Sequence, residues 1–300
     1  MANEKYRLGG IDIESELLLP ASPSISGAPP TAWIRRGKVA ATLAEATVKR
    51  VLCEASPAEF LLTVPGIARY LVRGGTEIVV DLLEDALDDD VGRYLVTYVL
   101  AALCQQRRLL VLHATAIDFH GRAILFSGPS AAGASTLGAV MALRGHGVLS
   151  DHVCVVDVSA GRALVHPVGI GVGLWADTLE YLGNTGDSPS RYLDSLDKFS
   201  VSIGPPCDSA MPLGCVAFVE ESRSPAPAIH IAAATPMDAV AALMTNSFMP
   251  FLVTGPDRQA AHFIQCGEAL RHASALRISR RWGLESVPDV LDHVVRFLHD

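Results

Sequence analysis

The chain has 300 residues, of which 50% are hydrophobic, and it carries a formal net charge of -8 at pH 7. This apolar fraction can supply a sizeable buried core, so the composition predicts a folded globular protein. The acidic balance and the lack of a Lys/Arg-rich tract argue against a nucleic-acid surface as the main binding feature. We therefore expect small ligands or other proteins as partners, and no nucleic acid.

The apolar segments of the chain are short. None approaches the roughly 20 residues that a membrane-spanning helix needs, and the longest candidate, Tyr94 to Cys104, is interpreted as a buried helix. The polar N-terminus is not followed by the apolar core of a signal peptide. The six cysteines and ten histidines are scattered, without the spacing of a zinc site. These features predict a cytoplasmic protein with no membrane partner and no structural metal.

The first 90 residues predict a small β-rich module. Short β-type runs are separated there by Gly and Pro, which interrupt regular structure. An acidic segment, Asp81 to Asp90, follows these runs. We therefore predict two domains, residues 1–90 and residues 91–300. The predicted strands of the first are Gly10 to Leu19, Thr47 to Leu52, Phe60 to Val64, Tyr70 to Val72 and Ile78 to Val80.

The rest of the chain mixes predicted strands and helices. Thr235, Pro236 and Asp238 form a strong helix start, because threonine can cap free N–H groups, proline suits the first helical position and aspartate suits the helix dipole. The predicted helices are Val91 to Gln105, Ser135 to Arg144 stopped by Gly145, one from Pro236, and Pro288 to Leu298. The predicted strands are Leu109 to Leu112, Ala123 to Phe126, Val153 to Val156, Cys215 to Val219 and Ile229 to Ala233.

A Gly-rich loop joins the second of these strands to the next helix. Residues 128–136 read Gly-Pro-Ser-Ala-Ala-Gly-Ala-Ser-Thr and match the phosphate-loop pattern G-x-x-x-x-G-K-[ST] at every defining position except one. In a complete loop, backbone N–H groups hold the phosphates, the lysine reaches the β- and γ-phosphates, and the Ser/Thr hydroxyl binds magnesium. Gly128, Gly133 and Ser135 match, whereas Ala134 stands at the lysine position. Without its strand–loop–helix context, the bare pattern fits an ordinary structural loop equally well.

Several further segments occur around this loop in a familiar order. They are Leu112-His113-Ala114, Gly121-Arg122-Ala123, Ser135-Thr136-Leu137, Arg144-Gly145-His146 and Leu149-Ser150-Asp151. With them the chain resembles the HPr kinase-like proteins of bacteria, including stand-alone relatives encoded with lasso-peptide modification genes. Gly9 to Leu17, Pro212-Leu213 and Asn246-Ser247-Phe248 extend the resemblance over most of the chain. It implies an α/β fold, in which a P-loop kinase-like domain with a central mixed sheet flanked by helices follows the β-rich module.

The resemblance also implies ligands and site residues. ATP and Mg²⁺ would bind, and a serine hydroxyl of a peptide or small protein would accept the phosphate. Ser135 and Asp151 would bind Mg²⁺, and Asp151, assisted by His113, would accept the hydroxyl proton. Kinases of this kind often assemble, so the resemblance is compatible with a homo-oligomer of this chain. The phosphate cradle would consist of Gly128, Pro129, Ser130, Ala131, Ala132, Gly133, Ala134, Ser135 and Thr136.

Two residues depart from the family pattern, Ala134 and His152, which stands where a second acid is usual. Phosphoryl transfer depends on cationic stabilisation, so loss of the lysine would slow it by orders of magnitude. Lys198 is a candidate substitute that would approach from a flexible segment, and a solvent-facing lysine is an equally good interpretation of it. Arg191 and the Arg280-Arg281 pair are further candidates, which we interpret as surface charges.

Two functions therefore stay open at this point. One is a serine kinase with a substitute cation, and the other is a degenerate relative that binds nucleotide or peptide as an accessory protein. Ala134 and His152 favour the second directly. A deliberately introduced alanine at position 134 is a third interpretation, but Ala131, where relatives commonly have glycine, favours natural drift. Structural roles also fit His113, as a buried imidazole, and Asp151, as a turn cap.

Overall fold

The computed structural model describes residues 3–24, 27–83, 86–169, 171–183, 189–191, 197–205, 207–222, 229–281 and 283–299. Both strands and helices occur among these residues. The predicted mixed α/β class is therefore confirmed. Among the described residues, no helix is long and apolar enough to cross a membrane.

The N-terminal residues form one sheet. Its strands are β1 (Glu4–Leu8), β2 (Ile11–Ser15), β3 (Ala32–Arg36), β4 (Val48–Lys49), β5 (Cys53–Ala55), β6 (Glu59–Val64), β7 (Ala68–Arg73) and β8 (Glu77–Leu82). Their spatial order is β1-β2-β3-β8-β7-β6-β5-β4. Side chains alternate between the two faces of a strand, and this alternation buries Phe60, Leu62 and Val64 of β6 with Tyr70 and Val72 of β7 in one core.

The predictions for this sheet are confirmed in part. The runs that contain Phe60, Tyr70 and Ile78 are β6, β7 and β8. The run from Gly10 is shorter than predicted, since β2 ends at Ser15 and the side chain of Leu18 is 70% exposed. The run from Thr47 forms only the two residues of β4. Strands β1, β3 and β5 were not predicted.

A helical segment leads from the first sheet to the rest of the chain. It consists of α1 (Asp88–Tyr94), a π-helical turn (Leu95–Val99) and α2 (Leu100–Gln106), where a single helix over Val91 to Gln105 is predicted. Its apolar residues belong to the core of the first sheet, which also contains Val155 and Phe248 from much later in the chain. The domain boundary at residue 90 stays a prediction.

A second, mixed sheet is built around one long strand. Its strands are β9 (Leu110–Leu112), β10 (Ala114–Phe119), β11 (Arg122–Ser127), β12 (Val148–Ser150), β13 (Cys154–Asp157), β14 (Leu164–His166), β18 (Met211–Glu221), β19 (Ile229–Ala233) and β20 (Ser274–Arg280). The three strands between β14 and β18 in the chain form a separate small sheet, which is described below. The order is β12-β10-β11-β18-β14-β13-β9, and β20 pairs with both β18 and β19. Strands β11 and β20 both run parallel to β18. Their carboxyl ends therefore meet at one edge of the sheet.

Helices cover both faces of this sheet. They are α3 (Ala134–Leu143), α5 (Pro236–Thr245), α6 (Pro256–Leu270) and α7 (Val287–His299). Leu137 of α3 and Leu291 of α7 share a core with Phe126 of β11. On the other face, Leu243 of α5 and Cys266 of α6 lie in a second core with residues such as Leu125 and Val216. The alternation along β11 thus anchors α3 and the loop before it.

A small third sheet lies against α3. It contains β15 (Val172–Trp175), β16 (Ser190–Arg191) and β17 (Lys198–Val201), and α4 (Ala176–Leu182) follows β15. Val172, Leu174 and Val201 pack on Ala139 and Ala142 of α3. This packing places the ends of β15 and β17 beside the first turn of α3.

Most predicted elements after residue 90 are confirmed to within a few residues. They are β9, β11, β13, β18, β19, α3, α5 and α7. Thr235 caps α5 by accepting a hydrogen bond from the backbone N–H of Asp238, as predicted. Strands β10, β12, β14, β15, β16, β17 and β20 and helices α4 and α6 were not predicted. Asp151 consequently follows a short strand, β12, in addition to preceding β13.

Candidate functional site

The loop between β11 and α3 needs glycine at both defining positions. A Cβ atom on Gly128 would lie 2.3 Å from the carbonyl oxygen of Val219. Gly133 has φ +94°, a backbone region that residues with a side chain rarely adopt. The two motif glycines therefore allow a backbone path that other residues would block.

Ala131, between these glycines, also has a positive φ, of +67°. A left-handed conformation costs a residue with a Cβ about 1 kcal/mol or more. The backbone at this position thus favours glycine, in keeping with the residue expected there from the family resemblance.

The first turn of α3 opens on a cavity of about 440 Å³. The N-cap residue of α3 is Gly133, which has no side chain, so no side chain caps the first N–H groups of this helix. Backbone N–H groups at a helix N-terminus carry partial positive charge and bind anions well. The cavity also falls within the usual volume range of small-molecule sites.

The structure brings the residues predicted for the site together around this cavity. Gly128 is the exception among them, because it lies against the Val219 carbonyl group behind the loop. The predicted residues that line the cavity are His113, Pro129, Ser130, Ala131, Ala132, Gly133, Ala134, Ser135, Thr136, Asp151 and Lys198. Lining residues that were not predicted include Thr115, Gly173, Trp175 and Thr178. Arg280, a candidate cation that the sequence analysis interprets as a surface charge, also lines the cavity.

Asp151 lies in the turn between β12 and β13 and is only 1% exposed. Its Oδ1 accepts hydrogen bonds from Thr115 Oγ1 at 2.5 Å and from Ser135 Oγ at 2.9 Å. Its Oδ2 accepts one from the backbone N–H of Gly173 at 2.9 Å. Hydrogen bonds to a charged group are stronger than neutral ones, so this carboxylate ties β10, α3 and β15 together.

His113 lies between β9 and β10, beside the loop. Its Nδ1 is 3.4 Å from the carbonyl oxygen of Gly128. Because a carbonyl oxygen can only accept, Nδ1 is the donor and Nε2 keeps a lone pair. Burial lowers the pKa of His113, against the opposing effects of the Gly128 hydrogen bond and Asp151. The imidazole is therefore neutral at pH 7 and can accept a hydrogen bond or a proton.

His152 packs in a cluster of rings. Its ring centroid is 5.0 Å from that of His113, 5.1 Å from Phe248 and 6.2 Å from Tyr98. Burial, followed by the neighbouring His113, lowers the pKa of His152 to about 4. At neutral pH this position therefore supplies neither the negative charge of an acid nor a positive charge.

Lys198 is the first residue of β17 and pairs with Trp175 of β15. The sequence predicts a flexible segment here, whereas Lys198 lies in a strand. Its positive charge contributes, after burial, to lowering the pKa of both His113 and His152, and all three residues line the same cavity. Lys198 is partly buried and lines the cavity.

The surface interpretation of the arginine pair is wrong for Arg280. Arg280 is 3% exposed and lines the cavity, whereas Arg281 is exposed. The signal lay in the alternation of β20, since Leu276, Ile278 and Arg280 are two residues apart and share a face. The side chain of Arg191 lies outside the part of the chain that the structure describes.

Comparisons with known proteins add little to this description. No protein-family profile and no curated protein sequence matches the chain. Among solved structures, the HPr(Ser) kinase/phosphatase from Coxiella burnetii is 12% identical over 62% of this chain and 97% of that chain, with a TM-score of 0.29. A similarity at this level carries no information about the function of this chain.

Proposed function

We propose that this chain is an ATP-dependent serine kinase-like protein with a P-loop kinase-like domain, and that it phosphorylates a peptide or small protein. The observation that carries the proposal is the 2.9 Å hydrogen bond from Ser135 Oγ to Asp151, beside the Gly-rich loop. In P-loop proteins, a Ser/Thr at this loop position and an acid on a neighbouring strand hold Mg²⁺ next to the nucleotide phosphates.

The residues around the cavity fit a nucleoside triphosphate with Mg²⁺. Gly128 and Gly133 leave the backbone bare where side chains would collide, and the uncapped N–H groups of α3 suit phosphate oxygens. Mg²⁺ in nucleotide sites takes one or two protein oxygens and completes its shell with phosphate and water. Ser135 would hold the ion through an oxygen lone pair while donating to Asp151. Asp151, which the sequence predicts as a second Mg²⁺ ligand, would instead balance the charge of the ion through this hydrogen bond, because its Oδ1 already accepts from Thr115 and Ser135. In the part of the chain that is described, no three His, Cys, Asp or Glu side chains form a metal cluster.

In the proposed reaction, the oxygen of the acceptor serine attacks the γ-phosphorus of ATP. The bond from the γ-phosphorus to the β–γ bridging oxygen breaks, and ADP leaves with that electron pair. The serine proton goes to Oδ2 of Asp151, which accepts one hydrogen bond from the protein and so keeps a lone pair. Nε2 of the neutral His113 orients the hydroxyl by accepting a hydrogen bond before the transfer. Bound Mg²⁺ would neutralise charge on the phosphate oxygens.

Lys198 contributes positive charge to the same cavity. In the proposed site its ammonium group offsets part of the charge that develops on the transferred phosphoryl group. Its position on the lining of the same cavity as His113 and His152 supports this role.

A second function is favoured by two specific residues. Ala134 cannot provide the cation of a complete phosphate loop, and His152 is neutral where an acid is usual in the family. The glycine cradle is nevertheless intact. An accessory protein that binds nucleotide or peptide without transferring phosphate would retain the cradle and dispense with these charges.

Calorimetric titration with ATP and MgCl₂, together with phosphate transfer from labelled ATP to serine peptides, distinguishes these functions. The test variant is Asp151→Ala, and the matched control is Asp157→Ala, which removes a partly exposed carboxylate outside the cavity lining. Binding and transfer that only Asp151→Ala abolishes support the kinase. Binding without transfer supports the accessory protein. Absence of ATP binding by the wild-type chain overturns the kinase and the nucleotide-binding form of the accessory protein.

The proposal also covers the cellular location, the binding partners and the oligomeric state of the protein. We propose a cytoplasmic protein without nucleic-acid or membrane partners, with homo-oligomers as a further proposed form. Light scattering after gel filtration measures the oligomeric state directly.

A further inference from the structure

Arg280 is the last residue of β20, at the edge of the sheet where the phosphate loop begins. Glu221 of β18 pairs with Arg280, and Phe218 of β18 pairs with Ser127, the residue before the loop. Since the three strands run parallel, the side chain at the end of β20 reaches the edge from which the loop departs.

The guanidinium group of Arg280 packs directly on Gly133. Its Nη2 atom lies 2.5 Å from the place that a Cβ atom on Gly133 would take, and its Nε lies 3.9 Å from the same point. Nη2 therefore points toward the start of α3, and Nε, which lies farther from it, completes the adjacent edge of the guanidinium group. A side chain at position 133 would displace it.

The other nitrogen of this group is fixed by the protein. Nη1 donates hydrogen bonds to the carbonyl oxygen of Gly283 at 2.8 Å and to Ser286 Oγ at 3.0 Å. Through these contacts, the turn that precedes α7 fixes the position of the guanidinium group. They use Nη1 only, so Nε and Nη2 are available to other hydrogen-bond acceptors.

The edge formed by Nε and Nη2 contains a buried donor without a partner. The Nε of Arg280 makes no hydrogen bond among the described residues, although it is buried. Burial also lowers the pKa of Arg280, with Glu285 acting in the opposite direction. A buried charged donor without an acceptor is costly, so a ligand that supplies anionic oxygens here would relieve that cost.

We propose that Arg280 binds the β- and γ-phosphates of the nucleotide and so supplies the cation that Ala134 does not. This inference rests on the nucleotide site proposed above. The Nε and Nη2 edge of a guanidinium group can donate two parallel hydrogen bonds to the oxygens of one phosphate group. Arg280 would approach these phosphates from β20, and the N–H groups of α3 would approach them from the loop.

The test compares Arg280→Met with Arg281→Met, which removes the exposed neighbouring charge. Calorimetric titrations use ATP with MgCl₂, pyrophosphate with MgCl₂, and adenosine. We expect Arg280→Met to raise the Kd for ATP and pyrophosphate about 10- to 100-fold, the loss typical of a hydrogen-bonded charge, and to leave adenosine binding unchanged. Arg281→Met should bind all three probes like the wild-type chain.

A rescue variant separates phosphate binding from a purely structural role. Adding Ala134→Lys to Arg280→Met should restore most of the lost ATP affinity, because a lysine at position 134 returns a cation to the phosphates. The lysine should lower the Kd for ATP by a larger factor in the Arg280→Met chain than in the wild-type chain, where Arg280 already supplies a cation. An equal factor in both chains, as expected if Arg280 served only to fix the turn at Gly283, overturns the inference.

Folding of each variant is checked by circular dichroism and thermal unfolding. Should Arg280→Met fail to fold, Arg280→Lys decides, since a lysine cannot donate from two nitrogens and should raise the Kd for ATP about 10-fold. An unchanged Kd in whichever variant folds overturns the role of Arg280 alone. Failure of the wild-type chain to bind ATP instead overturns the nucleotide site as a whole.

Discussion

Ser135 Oγ donates a 2.9 Å hydrogen bond to Asp151 Oδ1 across a separation of 16 residues in the chain. The same carboxylate accepts from Thr115 Oγ1 and from the backbone N–H of Gly173. A hydroxyl group that donates to a buried carboxylate is fixed in orientation, with its lone pairs directed elsewhere. The first turn of α3 therefore presents an oriented oxygen ligand next to a negative charge.

Asp151→Asn should weaken the effect of Mg²⁺ on ATP binding. The amide removes the charge that balances the ion, and loss of such a supporting group typically costs about 10-fold or more in metal affinity. We expect the Kd for ATP to rise about 10-fold in MgCl₂ and not to rise in EDTA. Calorimetric titration in the two buffers measures both values.

The matched control for this variant is Asp157→Asn, in β13 and outside the cavity lining. It should leave both titrations as in the wild-type chain. An equal weakening of ATP binding by Asp151→Asn in MgCl₂ and in EDTA would argue against a magnesium role for this carboxylate.

Residues that are adjacent in the chain were sufficient to predict the loop and the helix that form the site. The Gly-rich loop and α3 follow from Gly128, Gly133 and the apolar residues on either side, because bare backbone and a helix start are encoded in adjacent positions. The cap of α5 by Thr235 was predictable for the same reason. Strand β10 was missed because its first residues, Ala114 to Ala116, are two alanines and a threonine, which do not form a strongly apolar run.

Tertiary packing decides what the sequence could not predict. The rings around His152 come from Tyr98, His113 and Phe248, which are far apart in the chain. The burial of Arg280 depends on Gly133 and on the turn at Gly283. An arginine is usually exposed, so only the alternation along β20 could have indicated that this one points inward.

Ala134→Lys should strengthen ATP binding in the otherwise wild-type chain. A lysine at this loop position reaches the β- and γ-phosphates, and one added hydrogen bond to charged groups is worth about 10-fold in affinity. We expect a lower Kd for ATP with MgCl₂. Faster phosphate transfer to a serine peptide should accompany it if the chain is a kinase.

The control for the added charge is Ala260→Lys, at an exposed position of α6 on the opposite face of the sheet. It should change neither affinity nor transfer. Tighter ATP binding by Ala134→Lys without any transfer would support the accessory function. An unchanged Kd would contradict the assignment of residue 134 to the phosphate loop.

His152→Asn should reduce the sensitivity of the fold to acid. The pKa of His152 is about 4 in the folded chain and about 6.5 in an unfolded one. Between these values the unfolded state binds a proton that the folded state does not, so the unfolding free energy falls as the pH falls through this window. One such group contributes a slope of up to about 1.4 kcal/mol per pH unit.

Asparagine suits this test because it tolerates the left-handed backbone of residue 152, which has φ +69°. Urea unfolding at pH 7.5, 6.5, 5.5 and 4.5 measures the slope. The control His272→Asn, at an exposed position, should retain the wild-type slope. Equal slopes for His152→Asn and the wild-type chain would show that His152 is not held neutral by the fold.

Gly133→Ala and Gly267→Ala should change stability in opposite directions. Gly133 has φ +94°, and its added Cβ would meet Arg280 Nη2 at 2.5 Å, so alanine there combines backbone strain with a collision. Gly267 lies within α6, where an added Cβ meets nothing within 4 Å, and alanine favours a helix interior over glycine by about 1 kcal/mol. We expect Gly133→Ala to lower the unfolding free energy by about 1–3 kcal/mol and Gly267→Ala to raise it by up to about 1 kcal/mol.

Urea unfolding at pH 7.5 measures both changes, and titration with ATP and MgCl₂ is run beside it. Gly133→Ala should also weaken ATP binding, because the methyl group displaces Arg280 Nη2, which points toward α3, whereas Gly267→Ala should bind ATP normally. A Gly133→Ala chain with wild-type stability and wild-type ATP affinity would mean that neither the backbone at this position nor the adjacent Arg280 is fixed as the structure places them.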